Sequence, residues 1–186
     1  MNTVQKEKNI LYVGVGGAGC NVLLNTELND KNILAINTDI EALKSFGNNT
    51  LQIGKKLLKG FGAGMQPANG EMAALESYNE IKKSFENVDF IVVISGLGGG
   101  TGSGALPIIA DIIQELKLDA HFFISSPFSW EGSKRKDIAQ QSLDKLKSKN
   151  LNLTLVDFET YQVDRNTGLR NIFLNCNEIV FENLKF

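Results

Sequence analysis

Cysteine is nearly absent from this chain. Cys20 and Cys176 are the only two; they stand far apart and not at metal-ligand spacing, which argues against both a disulfide framework and a zinc site. Two reduced thiols suit a cytoplasmic setting. Histidine is scarcer still: His121 is alone, so there is no imidazole cluster, and its place at the start of an apolar run reads as structural. An excess of one charge is also lacking. Nineteen Lys plus Arg face 21 Asp plus Glu, a net charge of -2, so neither nucleic acid nor an anionic membrane has a global electrostatic reason to bind. The polar start MNTVQKEKN leads into only a short apolar run, neither a secretory signal nor a membrane span. No internal repeat, low-complexity tract or long linker divides the sequence.

What remains is ordinary in bulk. With 186 residues, 42% hydrophobic and 22% charged, the chain has the material for one domain with a real core. Five short apolar runs, NILYVGV, NILAINT, DFIVVIS, AHFFISS and NLTLVDF, read as strands buried on both faces. Helical spacing lies between them. Residues 69–86 carry Ala74, Tyr78, Ile81 and Phe85 on one stripe, residues 105–117 carry Leu106, Ile109, Ile113 and Leu116, and residues 137–147 carry Ala139, Leu143 and Leu146. Alternating strands and helices with short connections predict a doubly wound, mostly parallel α/β sheet with helices on both faces, binding its ligand at the carboxyl ends of the strands. The expected organisation is a polar tail over residues 1–9, a nucleotide-binding domain over 10–167, and a long helix over 168–186. In that last stretch Leu169, Phe173, Cys176, Val180 and Leu184 form one stripe while Ile172, Ile179, Phe181 and Phe186 are apolar on other faces. Such a helix wants cover from a second domain or a partner chain.

Glycine is the residue present in excess. GVGGAG at Gly14–Gly19 follows a strand, opens a helix and has Asp39 about 20 residues on, which is the dinucleotide fingerprint. GLGGGTGSG at Gly96–Gly104 places six glycines in nine residues after another strand. It carries Thr101 and Ser103, hydroxyls able to donate to phosphate, but not the lysine that a Walker A loop requires. A dinucleotide domain has no use for a second such cradle. A third turn, GFGAG at Gly60–Gly64, serves either as another phosphate contact or as a plain tight turn.

In GGGTGSG at Gly98–Gly104 the sequence resembles the tubulin/FtsZ family of polymerising GTPases, on its bacterial cell-division side. VGVGGAGCN, AINTD, GFGAGMQPANG and SPFSWEGSKR resemble further nucleotide segments of that family, in order and spacing, from about Ile10 to Val180. The resemblance implies GTP or GDP as ligand. It assigns the α and β phosphates to Gly17, Ala18 and Gly19, with Asn21 anchoring that loop. Gly96 opens the second loop; Ala63, Gly64, Gly98, Gly99, Gly100, Thr101 and Gly102 are implied for the β and γ phosphates. Pro127, Glu131 and Arg135 match ribose and base contacts, Phe173 the ring that stacks on guanine, and Asn177 the amide that reads its edge. Ala18 and Cys20 stand at positions that are often glycine and are expected to crowd the loop slightly; Phe158 or a neighbour stands where the family has an asparagine.

The resemblance also implies that hydrolysis is completed between subunits, by an acidic loop of a second domain that this sequence does not contain. The chain is therefore expected to bind GTP or GDP, with Mg2+ held through the phosphates, and to turn over slowly alone. Expected partners are FtsZ-like subunits or a second domain over the last helix. Three readings stay open at this point: the GTP-binding domain of a longer cytoskeletal protein, a naturally short module that caps filaments, and a NAD-dependent oxidoreductase.

Overall fold

The computed structural model describes residues 9–25 and 32–157. Phe158, Phe173, Cys176, Asn177 and the expected helix over 168–186 lie outside the described residues. Six strands, β1 (Ile10–Val15), β2 (Ile33–Asn37), β3 (Thr50–Gln52), β4 (Phe90–Gly96), β5 (Asp119–Ser125) and β6 (Leu153–Val156), form one sheet in the order β3-β2-β1-β4-β5-β6. Every pairing is parallel, with Val13 opposite Val93, Ile94 opposite Phe123, and Ala35 opposite Thr50. Five strands coincide with the five apolar runs. The sixth, β3, is three half-buried residues at one edge, too short and too mixed to show as a run.

The continuous apolar character of the central strands has a direct cause. In β4, Ile91 and Val93 enter one core while Val92 and Ile94 enter another on the opposite face. The first core is closed by α3 (Pro67–Glu76), α4 (Tyr78–Ser84), α5 (Gly100–Glu115) and α6 (Ser133–Lys147), the second by α1 (Gly16–Leu24) and a 3-10 turn over Glu41–Phe46. Side chains such as Ile36, Ile109, Phe85 and Phe122 are at most 1% exposed, and each contributes on the order of 1.5–3 kcal/mol by leaving water.

The stripe over residues 69–86 is realised as two helices rather than one. The break is at Ser77, a buried residue whose hydroxyl accepts the Gly54 N–H at 3.0 Å. Gly54 opens α2 (Lys55–Leu58), a four-residue helix with no sequence signature of its own, whose Lys56 and Leu57 N–H groups are taken by the Glu76 carboxylate. The apolar stripe survives the break: Ala74, Ile81 and Phe85 are all buried.

Helix α5 is the central strut, and its sequence contains a problem. Pro107 lies inside it, so the Ser103 carbonyl one turn earlier cannot receive the usual helical N–H. Ser142 of α6 supplies the missing donor, its hydroxyl reaching Ser103 O at 2.8 Å in a buried setting. On the other side α5 meets α3 so closely that a Cβ on Gly104 would stand 2.0 Å from the Pro67 carbonyl oxygen. Helix α1 is seated on the sheet as tightly: a Cβ on Gly19 would stand 2.1 Å from Ile94 O.

Two outcomes are expected. Ser142→Ala orphans a buried carbonyl and should lower the stability read from urea unfolding by about 1–3 kcal/mol; in a Pro107→Ala background, where a backbone N–H returns to Ser103 O, the same substitution should cost clearly less. Cys20 is 1% exposed, and burial raises its thiol pKa to about 12, so iodoacetamide at pH 8 should leave Cys20 unmodified in peptide maps until denaturant is added.

Candidate functional site

Between β1 and β4 the winding of the sheet reverses: the chain leaves β1 toward β2 and leaves β4 toward β5, on opposite sides. In parallel sheets this is where the strand ends part and leave a crevice. Here it holds a cleft of about 430 Å³.

The floor of the cleft is backbone. Helix α1 begins at Gly16, directly after β1, and α5 begins at Gly100, directly after the loop from β4. Their first turns have neither a side-chain cap nor an acidic residue, so their initial N–H groups and positive dipole ends remain available to a ligand. A Cβ built on Gly17 or on Gly99 would meet nothing within 4 Å, and both residues line the cleft, so bare main chain faces open space at both helix starts. The turns that aim them need left-handed backbone at Gly16 (φ 70°) and Gly98 (φ 91°).

The polar wall comes from the segment after β5. Glu131 is held on both carboxylate oxygens: Oε1 accepts the Phe128 N–H at 2.8 Å and Oε2 accepts from Arg135 Nη1 at 3.0 Å. Phe128 in turn stacks on Trp130, ring centroids 5.0 Å apart. Glu131 is thus fixed before any ligand arrives, while Arg135 keeps further N–H donors of its fork. Glu131 is the one carboxylate among the described residues lining the cleft, and those residues hold no group of three or more Cys, His, Asp and Glu that could hold a metal ion.

Most of the expected binding residues meet here. Gly17, Ala18 and Asn21 from α1, Gly96, Gly99, Gly100, Thr101 and Gly102 from the second loop, and Pro127, Glu131 and Arg135 all line the cleft. Gly19, Gly98, Ala63 and Gly64 do not. Gly19 faces the sheet, and Gly98 is wedged where a Cβ would lie 3.0 Å from Arg135 O. Ala63 supports the cleft from behind, since a Cβ on Gly100 would lie 2.8 Å from its own Cβ, whereas Gly64 borders open space.

The two hydroxyls of the second loop have separate fates. Ser103 points inward and accepts the Gly98 N–H at 2.9 Å, bracing the loop rather than facing a ligand. Thr101 lines the cleft, with its hydroxyl 2.7 Å from that of Thr38. Cys20 does not crowd the loop: its Sγ is directed at the carbonyls of Gly14 and Ile36. Asp39 is absent from the cleft lining, its carboxylate instead accepting the Glu41 N–H at 2.9 Å. Sequence reasoning missed the serines at the strand ends. Ser95, Ser125 and Ser126 all line the cleft, and Ser95 ties β4 to β1 by donating to Val15 O at 2.9 Å. Their signal was available, a hydroxyl at the carboxyl end of an otherwise apolar run.

Comparison with known proteins agrees with this geometry. Residues 9–162 match the profile of the Tubulin/FtsZ family, GTPase domain. Cell division protein FtsZ 1 of Thermococcus kodakarensis is 35% identical over 187 residues, covering 97% of this chain and 50% of that protein. Its counterpart in Pyrococcus furiosus is 39% identical over 146 residues, 76% of this chain and 39% of that protein. Among solved structures, the empty FtsZ dimer of M. jannaschii matches with a TM-score of 0.88 at 34% identity, over 98% of this chain and 55% of that one. CetZ1 of Haloferax volcanii, a GDP-bound monomer, matches with a TM-score of 0.81 at 26% identity, over 92% of this chain and 58% of that one. The chain therefore spans about half the length of the curated FtsZ 1 relative from Thermococcus kodakarensis. A doubly wound sheet with glycine loops at its switch point, matched by a family profile over most of its length, identifies the chain as a member of the tubulin/FtsZ family, in its GTPase domain.

Proposed function

We propose that the cleft binds a guanine nucleotide, GTP or GDP, as the nucleotide-binding unit of an FtsZ-like cell-division protein, with residues 10–167 forming that unit. One observation carries the reading: two uncapped helix N-termini, those of α1 and α5, converge on a single cleft floored by open glycine backbone. That arrangement attracts concentrated negative charge, and a polyphosphate offers oxygens to both termini at once. The sugar and base side then falls to Pro127, Glu131 and Arg135, the carboxylate accepting from ribose hydroxyls and the guanidinium lending charge. The GDP-bound state of CetZ1 supports the same ligand class. Phe173 and Asn177 are the proposed guanine contacts, by resemblance alone. NAD is disfavoured because Asp39, the acidic residue a dinucleotide site requires, does not line the cleft.

The donor set also bears on metal and chemistry. Mg2+ would fit as a companion of the phosphates rather than in a cage of protein carboxylates, since among the described residues Glu131 is the one carboxylate lining the cleft and no cluster of ligating side chains is found. In such a position it would neutralise phosphate charge. The chain's own groups bind and orient, while a carboxylate free to orient attacking water is not among the described cleft residues. We therefore propose that turnover requires an acidic group from another subunit or domain, and that the natural partners are further FtsZ-like subunits. Phosphoryl transfer depends mostly on positioning and charge stabilisation, so binding should far outrun hydrolysis here. Among the described residues no helix is long and apolar enough to cross a membrane.

Calorimetric titration with GTP, GDP, ATP and NADH tests the ligand class: both guanine nucleotides should bind, with ATP and NADH at least tenfold weaker. A protein that ignores GTP and GDP at millimolar concentration while folded would sink the proposal. Phosphate release from GTP should be near background for the chain alone and rise on adding full-length FtsZ. Gly17→Ala separates site from scaffold. Its Cβ has room and alanine favours a helix, so the melting temperature should hold or rise, while GTP affinity should fall about fivefold or more as the methyl intrudes on the phosphate. Glu131→Gln should weaken binding by a similar factor.

A further inference from the structure

The nucleotide reading leaves Thr38 unused. This residue follows β2 and does not line the cleft, yet it is fully buried and its hydroxyl stands 2.7 Å from that of Thr101, which does line it. Its position is fixed by the residue before it. The Asn37 side-chain oxygen accepts the N–H of Thr38 at 2.8 Å and that of Asp39 at 3.3 Å, which pins the backbone on which the Thr38 hydroxyl is mounted.

Two hydroxyls in contact hold two protons, and their order matters. Each has one proton to give and two lone pairs to receive. Where Thr101 donates to Thr38, Thr101 presents only lone pairs to the cleft and repels an anionic oxygen. Where Thr38 donates to Thr101, the Thr101 proton is free for the cleft. Thr38 is 0% exposed, so water does not compete for its proton, and among the described residues Thr101 is the acceptor it reaches. An anionic acceptor in the cleft selects the second order, because hydrogen bonds to charged oxygens are the stronger kind and each O–H in such a chain polarises the next.

We propose that Thr38 is a positioning residue for the nucleotide: its hydroxyl donates to Thr101 and so turns the Thr101 O–H toward a phosphate oxygen. This rests on the cleft being a polyphosphate site, as argued above. Thr38 acts through Thr101 and touches no ligand. A role in packing β2 or the core alone would leave its contribution to binding independent of the Thr101 hydroxyl.

That dependence is the test. GTP affinity is measured by calorimetry for the wild-type chain, Thr38→Ser, Thr38→Val, Thr101→Val and the double Val variant, with melting temperatures recorded alongside. Thr38→Val keeps the shape and removes the donor; it should weaken GTP binding about fivefold, the scale of one hydrogen bond, while Thr38→Ser stays within about twofold of wild type. In the Thr101→Val background, Thr38→Val should cost nothing further. A Thr38→Val variant that binds like wild type overturns the proposal, as does a loss that persists in full without the Thr101 hydroxyl. If Thr38→Val does not fold, Thr38→Cys replaces it, since a thiol fills the site but donates poorly, and the same fivefold gap from Thr38→Ser is expected. Failure of the wild-type chain to bind GTP would instead strike the nucleotide reading itself, and this inference with it.

Discussion

The convergence of two helix N-termini on one crevice governs the rest of this molecule. It follows from topology: β1 and β4 are neighbours, and the chain leaves them for opposite ends of the sheet, so α1 and α5 start side by side and pack on opposite faces. Neither start is capped by its own side chains. A protein ordinarily satisfies such groups. Leaving two sets of them aimed at one cleft is a cost that a bound anion would offset, and Gly17 and Gly99 keep that backbone accessible.

Holding the two starts in place requires packing of unusual closeness elsewhere. Gly19 lets α1 lie against Ile94 of the sheet, and Gly104 lets α5 lie against Pro67 of α3. Glycines of both loops therefore also act as spacers between elements. Hydroxyl groups perform the finer adjustment: Ser95 fastens the ends of β1 and β4, Ser103 holds the Gly98 turn, and Ser142 completes α5 beside its proline. The wall opposite is fixed in the same manner through Glu131, which is tied to Phe128 just before its own turn and to Arg135 of α6.

Much of this was legible in the residue order. Continuous Ile, Val and Phe runs gave β1, β2, β4, β5 and β6 because a strand buried on both faces has no polar side to alternate with, and the helical stripes gave α5 and α6 by their spacing. The edge strand β3 and the short α2 were not visible, since both are held by partners distant in sequence, β2 and Glu76, rather than by local pattern. The break at Ser77 depends on a bond to Gly54, equally invisible along the chain. In the site, the motifs marked the loops but not which of their glycines line the cleft. Gly17 and Gly19 look alike in the sequence; only the sheet behind Gly19 separates them. The inward turn of Ser103 and the contact of Thr38 with Thr101 are likewise products of three-dimensional closure.

The proline within α5 has one more effect, on what ties the cleft to the rest of the molecule. At Pro107 the ladder of amide bonds loses one rung, so the glycine-rich start of the helix is joined to the apolar stretch that follows by one bond fewer. They borrow their anchorage from α6, through Ser142, and from α3, through the Gly104 contact. Loosening of α6 would thus withdraw one of the two ties on the cleft end of α5 and leave the contact with α3 to hold it.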